Sequence, residues 1–257
     1  MEIRNTTVMI TGANRGIGKA VAKRLATDHC HLVLLVRNVD PELEKEIKAA
    51  GAKSVRVVGV DLSQRSEVEK FVCEHKDLAV DILFNNAGML TGGLLESQSV
   101  GDLYEELQVN VASVIHLTHA FLPGMISRKS GKIINQSSVA AFMHFPSASS
   151  YSATKAAIFA FTESLKQELK GTGVSTLNLV TPAIKTRLFD QLNEKFGRHF
   201  AIPGQSLPAP QYAEMIREAI LSDITVLNPY GITGLGLKIA KHLPQLFQYE
   251  VRRRFRR

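Results

Sequence analysis

Short apolar runs alternate with segments whose hydrophobic side chains return every three or four positions, and this rhythm governs the chain as far as about residue 181. TTVMI reads as a strand, residues 16–28 as a helix, HLVLLV as a strand, residues 41–50 as a helix and SVRVVGV as a third strand. Ser63 then stands where it can cap a helix running to about His75, followed by the strand DILFN and a long helical region over roughly residues 100–128. KIINQSS, a helix over residues 151–170 and VSTLNLV complete the series. Strand–helix units joined by short links predict an α/β fold: a doubly wound parallel sheet covered by helices on both faces. Ligands of such folds bind beyond the carboxyl ends of the strands. No internal repeat or linker divides residues 1–257, so one domain is expected.

The rhythm breaks over about residues 183–210, which carry Pro203, Gly204, Pro208 and Pro210 between a strand and the next helix. A long irregular excursion in a compact domain is more often functional than decorative, and this one reads as a lid. Leu188, Phe189, Leu192, Phe196, Phe200 and Ile202 would then wall an apolar pocket for a lipophilic substrate.

Composition narrows the class. With 45% hydrophobic and 21% charged residues the chain can bury a sizeable core. No uninterrupted apolar run approaches the ~18 residues of a membrane span, and MEIRNTTVMITG lacks the layout of a secretory signal, so a cytoplasmic protein is expected. Cys30 and Cys73 form no CxxC pattern; both are expected to be buried, reduced thiols. His29 and His31 flank Cys30 at the start of a strand, where packing explains them, and no metal site is expected.

The net charge is +7, but five arginines lie at positions 252, 253, 254, 256 and 257. The rest of the chain is nearly neutral and has no basic stripe with interleaved aromatics, so nucleic acid is not an expected partner. Within the tail from residue 243 to 257, Leu243, Leu246, Phe247, Val251 and Phe255 recur near helical spacing. Two readings stay open: a terminal helix packed on the body or on a partner subunit, or a basic amphipathic segment lying peripherally on the inner face of an anionic membrane.

Chemistry enters first at TGANRGIG, residues 11–18, between the first strand and the first helix. Gly12, Gly16 and Gly18, with Asn14, Arg15 and Ile17 between them, allow a tight turn in which a dinucleotide pyrophosphate approaches backbone N–H groups at the positive end of the helix. A second site is suggested by Tyr151 and Lys155, four apart and thus on one face of a helix. A phenol titrates near pH ~10. A cation ~4 Å from the phenolate would stabilise it by roughly 4 kcal/mol at an effective dielectric of about 20, making the pair a usable acid or base near neutrality.

The glycine spacing, NNAG at residues 85–88 and Tyr151-x-x-x-Lys155 occur in an order that resembles the short-chain dehydrogenase/reductase family over about residues 5–190. The resemblance implies a Rossmann-type fold, a nicotinamide cofactor, a small carbonyl or alcohol substrate and assembly as a homodimer or homotetramer. It also implies roles. Tyr151 would be the general acid/base, and Lys155 would lower its pKa and hold the nicotinamide ribose. Ser138 would hydrogen-bond the substrate carbonyl, and Asn110 would hold a water linking Lys155 to solvent. Ser137 rivals Ser138, but neighbours on a strand point to opposite faces. Asn86, Ala87 and Gly88 would border the adenosine side of the cofactor, Asp61 and Leu62 would contact the adenine, and Pro182, Ile184 and Thr186 would line the nicotinamide and pyrophosphate region. For Asp61 a simple helix-start role beside Ser63 is an equal reading. Ala183 and Ala141 stand where the family often has glycine.

Cofactor choice follows from charge. Val36 occupies the place at the end of the second strand where a carboxylate would accept from the adenosine ribose, and Arg37 and Arg15 can instead bracket a 2′-phosphate. NADP(H) is therefore expected. The leading reading is an NADPH-dependent carbonyl reductase, reversible to alcohol oxidation. A 3-oxoacyl carrier-protein reductase is an alternative within the same chemistry, and a dinucleotide-sensing binding module is the non-catalytic one.

Overall fold

A computed structural model describes residues 2–186 and 206–257. Along them run β1 (Thr7–Thr11), α1 (Gly16–Ala26), β2 (His31–Val36), α2 (Pro41–Ala49), β3 (Ser54–Gly59), α3 (Arg65–His75) and β4 (Ile82–Asn85). Next come α4 (Val100–Leu107), α5 (Ser113–Ser127), β5 (Gly131–Ser138), α6 (Ser149–Glu168) and β6 (Val174–Thr181). The chain continues through β7 (Ile184–Lys185), β8 (Leu207–Pro208), α7 (Ala209–Leu221), β9 (Val226–Leu227), α8 (Gly231–His242) and α9 (Pro244–Arg254).

One sheet takes the order β3-β2-β1-β4-β5-β6-β9, with every neighbouring pair parallel. Alternation along β1 shows how it is covered. Val8 and Ile10 face a cluster completed by Val21, Leu25 and Ile216 from α1 and α7, while Met9 faces Phe71, Leu117, Phe121 and Leu165 from α3, α5 and α6. The strand order reverses between β1 and β4, which opens a crevice beyond their carboxyl ends.

Most local expectations hold, and the departures have physical causes. Asp40 caps α2 by accepting from the Glu42 N–H, with Pro41 as the first helical residue. Ser63 does not cap α3. That helix begins at Arg65, so Gln64 takes the cap position without a side-chain cap, and Ser63 lies one residue before it in a turn where its N–H donates to the Asp61 carboxylate. Cys30 is buried as expected, but Cys73 lies on the outer face of α3 and is exposed.

The long helical region is interrupted by a π turn over Gln108–Ala112. The continuous helix Val100–Ser127 is long and apolar enough to cross a bilayer by length and composition alone. Its apolar face is instead spent within the fold: Val114, Leu117, Phe121 and Met125 are buried, and α5 packs on α3 and on the sheet.

Of the excursion over 183–210, the described stems pair as the short parallel strands β7 and β8, Ile184 opposite Leu207. The six apolar residues assigned to a lid, from Leu188 to Ile202, lie outside the described residues. The tail forms α9, docked on the body through buried Val251 and through Phe247, whose ring stands 6.1 Å from that of Phe145. Its charge is partly neutralised: Arg253 and Arg254 bond Glu250, and Arg257 bonds Glu96.

Candidate active site

The turn from β1 into α1 works by lacking side chains. Gly12 sits at φ +65°, and a Cβ added there would lie 3.0 Å from Ala87 Cα. At Gly18 a Cβ would lie 2.4 Å from the Gly12 carbonyl oxygen, so this glycine allows α1 to pack on the turn. Gly18 is buried and does not itself line the cleft. The N-terminus of α1 has no side-chain cap at Arg15 and no acidic residue in its first turn. Its unpaired N–H groups and the positive end of the helix dipole therefore remain available to an anion.

That end of α1 opens into a cleft of about 740 Å³ at the strand-order reversal. Gly12, Asn14, Arg15, Gly16 and Ile17 line one side, and Arg37 and Asn38 line the edge beyond β2. Neither the Arg15 nor the Arg37 side chain has a hydrogen bond or ion pair among the described residues, and Val36 is buried in the core. Asp61 and Leu62 also line the cleft. The Asp61 carboxylate accepts from Ser63 N at 3.0 Å, and Asp61 N donates to Glu67 at 2.6 Å, so the residue serves the turn as well as facing the cavity.

Asn86, Ala87 and Gly88 form the cleft floor. Thr11 Oγ1 accepts from both Asn86 N and Ala87 N at 2.9 Å, and the Asn86 amide donates to the carbonyls of Thr11 and Gly12. Asn85 ties β4 to β5 by donating to Asn135 Oδ1 at 2.9 Å. The NNAG segment thus locks the turn after β4 to the turn after β1.

Beyond the floor lie Ser138, Tyr151 and Lys155. The end of β5 supplies Ser138, and the first turns of α6 supply the other two. Ser138 is hydrogen-bonded to Tyr151, whereas Ser137 Oγ donates to the Lys155 carbonyl at 2.9 Å and is committed to the helix backbone. Lys155 Nζ donates to the Gln136 carbonyl at 2.8 Å and stands 5.5 Å from the centre of the Tyr151 ring. Burial pushes the Tyr151 hydroxyl up to about 12 and the Lys155 ammonium down to about 8. The expected lowering of the phenol by a nearby cation is not present in the protein alone, because desolvation dominates and the ammonium is held by a backbone carbonyl.

Asn110 is buried behind the floor, in the π turn. Its Oδ1 accepts from Met89 N at 2.9 Å, and its Nδ2 donates to Met89 O and to Thr154 Oγ1. Both amide hydrogens are therefore used, which leaves only a second lone pair on Oδ1 for a water. Gly88 lets the two groups approach: a Cβ there would meet Asn110 Oδ1 at 3.4 Å and Lys155 Nζ at 3.5 Å.

Pro182, Ile184 and Thr186 complete the far wall, with Ala183 beside them. A Cβ on Gly16 would lie 3.4 Å from the Thr186 methyl carbon, so the glycine turn and the far wall nearly touch. Asn38, Phe145 and Pro146 also line the cleft, and Thr11, Thr154 and the Gln136 carbonyl hold its machinery, although none was marked in the sequence. Only Thr154 left a signal, lying between Tyr151 and Lys155 on the same helix.

Comparison with known proteins agrees with this architecture. The family profile described as short chain dehydrogenase matches residues 6–197. An uncharacterized oxidoreductase of Staphylococcus saprophyticus is 34% identical over 197 residues, which cover 75% of this chain and 80% of that one. The structure of a short-chain dehydrogenase from Sphingobium yanoikuyae in complex with NADPH superposes with a TM-score of 0.83 at 23% identity, covering 95% of each chain. A metagenomic short-chain oxidoreductase in complex with NADP gives a TM-score of 0.73 at 26% identity, covering 88% of this chain and 97% of the other.

Proposed function

The chain belongs to the short-chain dehydrogenase family, and from that premise we propose that it is a cytoplasmic, NADPH-dependent carbonyl reductase, reversible to alcohol oxidation. The observation that carries this reading is that Ser138, Tyr151 and Lys155 share one cleft with the uncapped N-terminus of α1. A dinucleotide fits such a lining. The N–H groups of the glycine turn suit a pyrophosphate, and Arg15 and Arg37, without partners among the described residues, suit a 2′-phosphate through charge-assisted hydrogen bonds. Asp61 and Leu62 would flank the adenine, Asn86 to Gly88 the adenosine side, Lys155 the nicotinamide ribose, and Pro182, Ile184 and Thr186 the nicotinamide end. The NADP held by the metagenomic relative supports the same choice.

When bound, the reduced nicotinamide supplies hydride to the carbonyl carbon. The protein's task is then to orient the carbonyl and deliver a proton to its oxygen. Ser138 would donate a hydrogen bond to that oxygen, and Tyr151, protonated at neutral pH, would give up its proton as negative charge develops there. Lys155, anchored by the Gln136 carbonyl, would stabilise the resulting phenolate. The test is NADPH absorbance followed against aliphatic ketones, quinones, steroids and acyl thioesters. Oxidation with at least one class is expected, and a preference for acyl thioesters would favour the carrier-protein alternative. No turnover with any class would overturn the catalytic reading.

Two assembly proposals accompany it. An exposed stripe of Val100, Tyr104, Leu107 and Ile115 along α4 and α5 supports a homodimer or homotetramer. Exposed Leu246 and Tyr249 on α9, beside its arginines, support peripheral contact with an anionic membrane.

A further inference from the structure

A second cavity lies on the other side of a wall of the cleft. Phe145 and Pro146 line both spaces, and on α6 the neighbours Tyr151 and Ser152 diverge, Tyr151 lining the cleft and Ser152 the second cavity. This groove, between the first turns of α6 and α9, measures about 490 Å³, within the range of small-molecule sites. Ala153 and Ala156 of α6 and Val251 of α9 give it apolar walls, and the two alanines leave the space open. Two polar groups in its lining lack partners. Ser152 is only 6% exposed, yet its hydroxyl makes no hydrogen bond among the described residues. A buried polar group in that state calls for a ligand or a water. Arg252 lines the groove from α9 and has no hydrogen bond or ion pair among the described residues, whereas Arg253 and Arg254 are held by Glu250 and Arg257 by Glu96. No aspartate or glutamate lines the groove.

We propose that this groove is a second ligand site, for an apolar chain that ends in a carboxylate. Arg252 takes the carboxylate, and the walls of α6 and α9 take the chain. The one permanent cation in the lining matches a single negative charge, which a guanidinium can hold with two parallel N–H···O bonds. The apolar walls match the chain, whose burial supplies the non-directional part of the affinity. A neutral chain would leave Arg252 unused, and a cationic one would be repelled by it. Two sources share this chemistry: the far end of a substrate whose carbonyl lies at Tyr151, and a separate amphiphile that rests against the Phe145–Pro146 wall. On either source α9 is a ligand-binding element as well as a packed terminal helix.

Calorimetric titration of the full chain with dodecanoate tests the site, with dodecyltrimethylammonium as a cationic chain of the same length. One dodecanoate per chain is expected, bound roughly tenfold or more tightly than the cation. Arg252→Gln should weaken dodecanoate about tenfold, the scale of one charge-assisted contact, while Arg253→Gln, which removes an arginine already held by Glu250, should leave it nearly unchanged. Ala153→Phe fills the groove from α6 and should abolish binding, with circular dichroism checking that the variant is folded. If that variant misfolds, the contrast between Arg252→Gln and Arg253→Gln still decides. Equal losses in the two arginine variants would mean diffuse attraction to a basic surface and overturn the proposal. Equal affinity for the cation, or no binding of dodecanoate, would overturn it too, as would a dimer that excludes dodecanoate and dissociates in Ala153→Phe, which would make the groove a contact between copies. The source is read from kinetics. Dodecanoate that raises the KM of a straight-chain oxo acid places the far end of the substrate in the groove, and dodecanoate bound without competition is a separate amphiphile. The titrations need neither cofactor nor turnover, so a chain that reduces no carbonyl still reports on the groove.

Discussion

The two halves of the cleft are built on opposite principles. On the glycine-turn side little holds the ligand-facing groups: the α1 N–H groups have no side-chain cap, Arg15 and Arg37 have no partner among the described residues, and the shape comes from missing side chains at Gly12 and Gly18. On the Tyr151 side nearly every functional group is already held by protein, Lys155 by Gln136, Ser138 by Tyr151 and Asn110 by Met89 and Thr154. One half waits for charge and the other is organised before any ligand arrives. The first should therefore govern which ligand binds, and the second how fast it reacts.

The largest effect expected to break this division is that of Tyr151→Phe. It deletes the proton donor and leaves the glycine turn untouched, so kcat should fall by about 10²- to 10⁴-fold while the NADPH dissociation constant, read by fluorescence titration, changes by no more than a few-fold. A comparable loss of NADPH affinity would mean that the halves are not separable. Arg37→Ala tests the other side with a smaller effect. Losing one charge-assisted contact to a 2′-phosphate should weaken NADPH roughly 10- to 100-fold and leave NADH nearly unchanged. Equal losses for both cofactors would remove the guanidinium from phosphate recognition.

The smallest effect belongs to a region outside both halves. Replacing Arg252, Arg253 and Arg254 by glutamine should reduce sedimentation with anionic vesicles at low salt, by about 1 kcal/mol per arginine at most. Since two of the three already bond Glu250, the measured loss should fall short of that bound. Neither kcat nor cofactor affinity should change. Unaltered sedimentation at low and high salt would leave α9 as a packed terminal helix alone.

How much of this could be read from the chain depended on how far apart the interacting groups lie in sequence. The β–α rhythm, the glycine turn and the Tyr151–Lys155 pair are local patterns, and backbone geometry turns local spacing directly into a shared face or a tight turn. Ser63 does not cap α3 because the helix starts one residue later and Gln64 takes the cap position, a boundary that propensity alone does not fix to the residue. Cys73 was assigned to the interior from the habit of its residue type, although it sits on the solvent side of α3. The Tyr151 pKa required a distance and a degree of burial, neither of which spacing supplies. The burial of Glu106 was invisible for the same reason: in the chain it is one acid among several, and its bond from Thr91 N, fifteen residues away, exists only in the fold.

The pairing of β7 with β8 has a consequence of another kind. Ile184 and Leu207 sit side by side, so the two stems that flank residues 187–205 are held against each other. What lies between can change in length at small thermodynamic cost, since doubling a loop adds only about 0.6 kcal/mol of closure entropy. These stems are therefore a natural splice point, where the intervening residues can be exchanged for those of a relative without the scaffold being rebuilt.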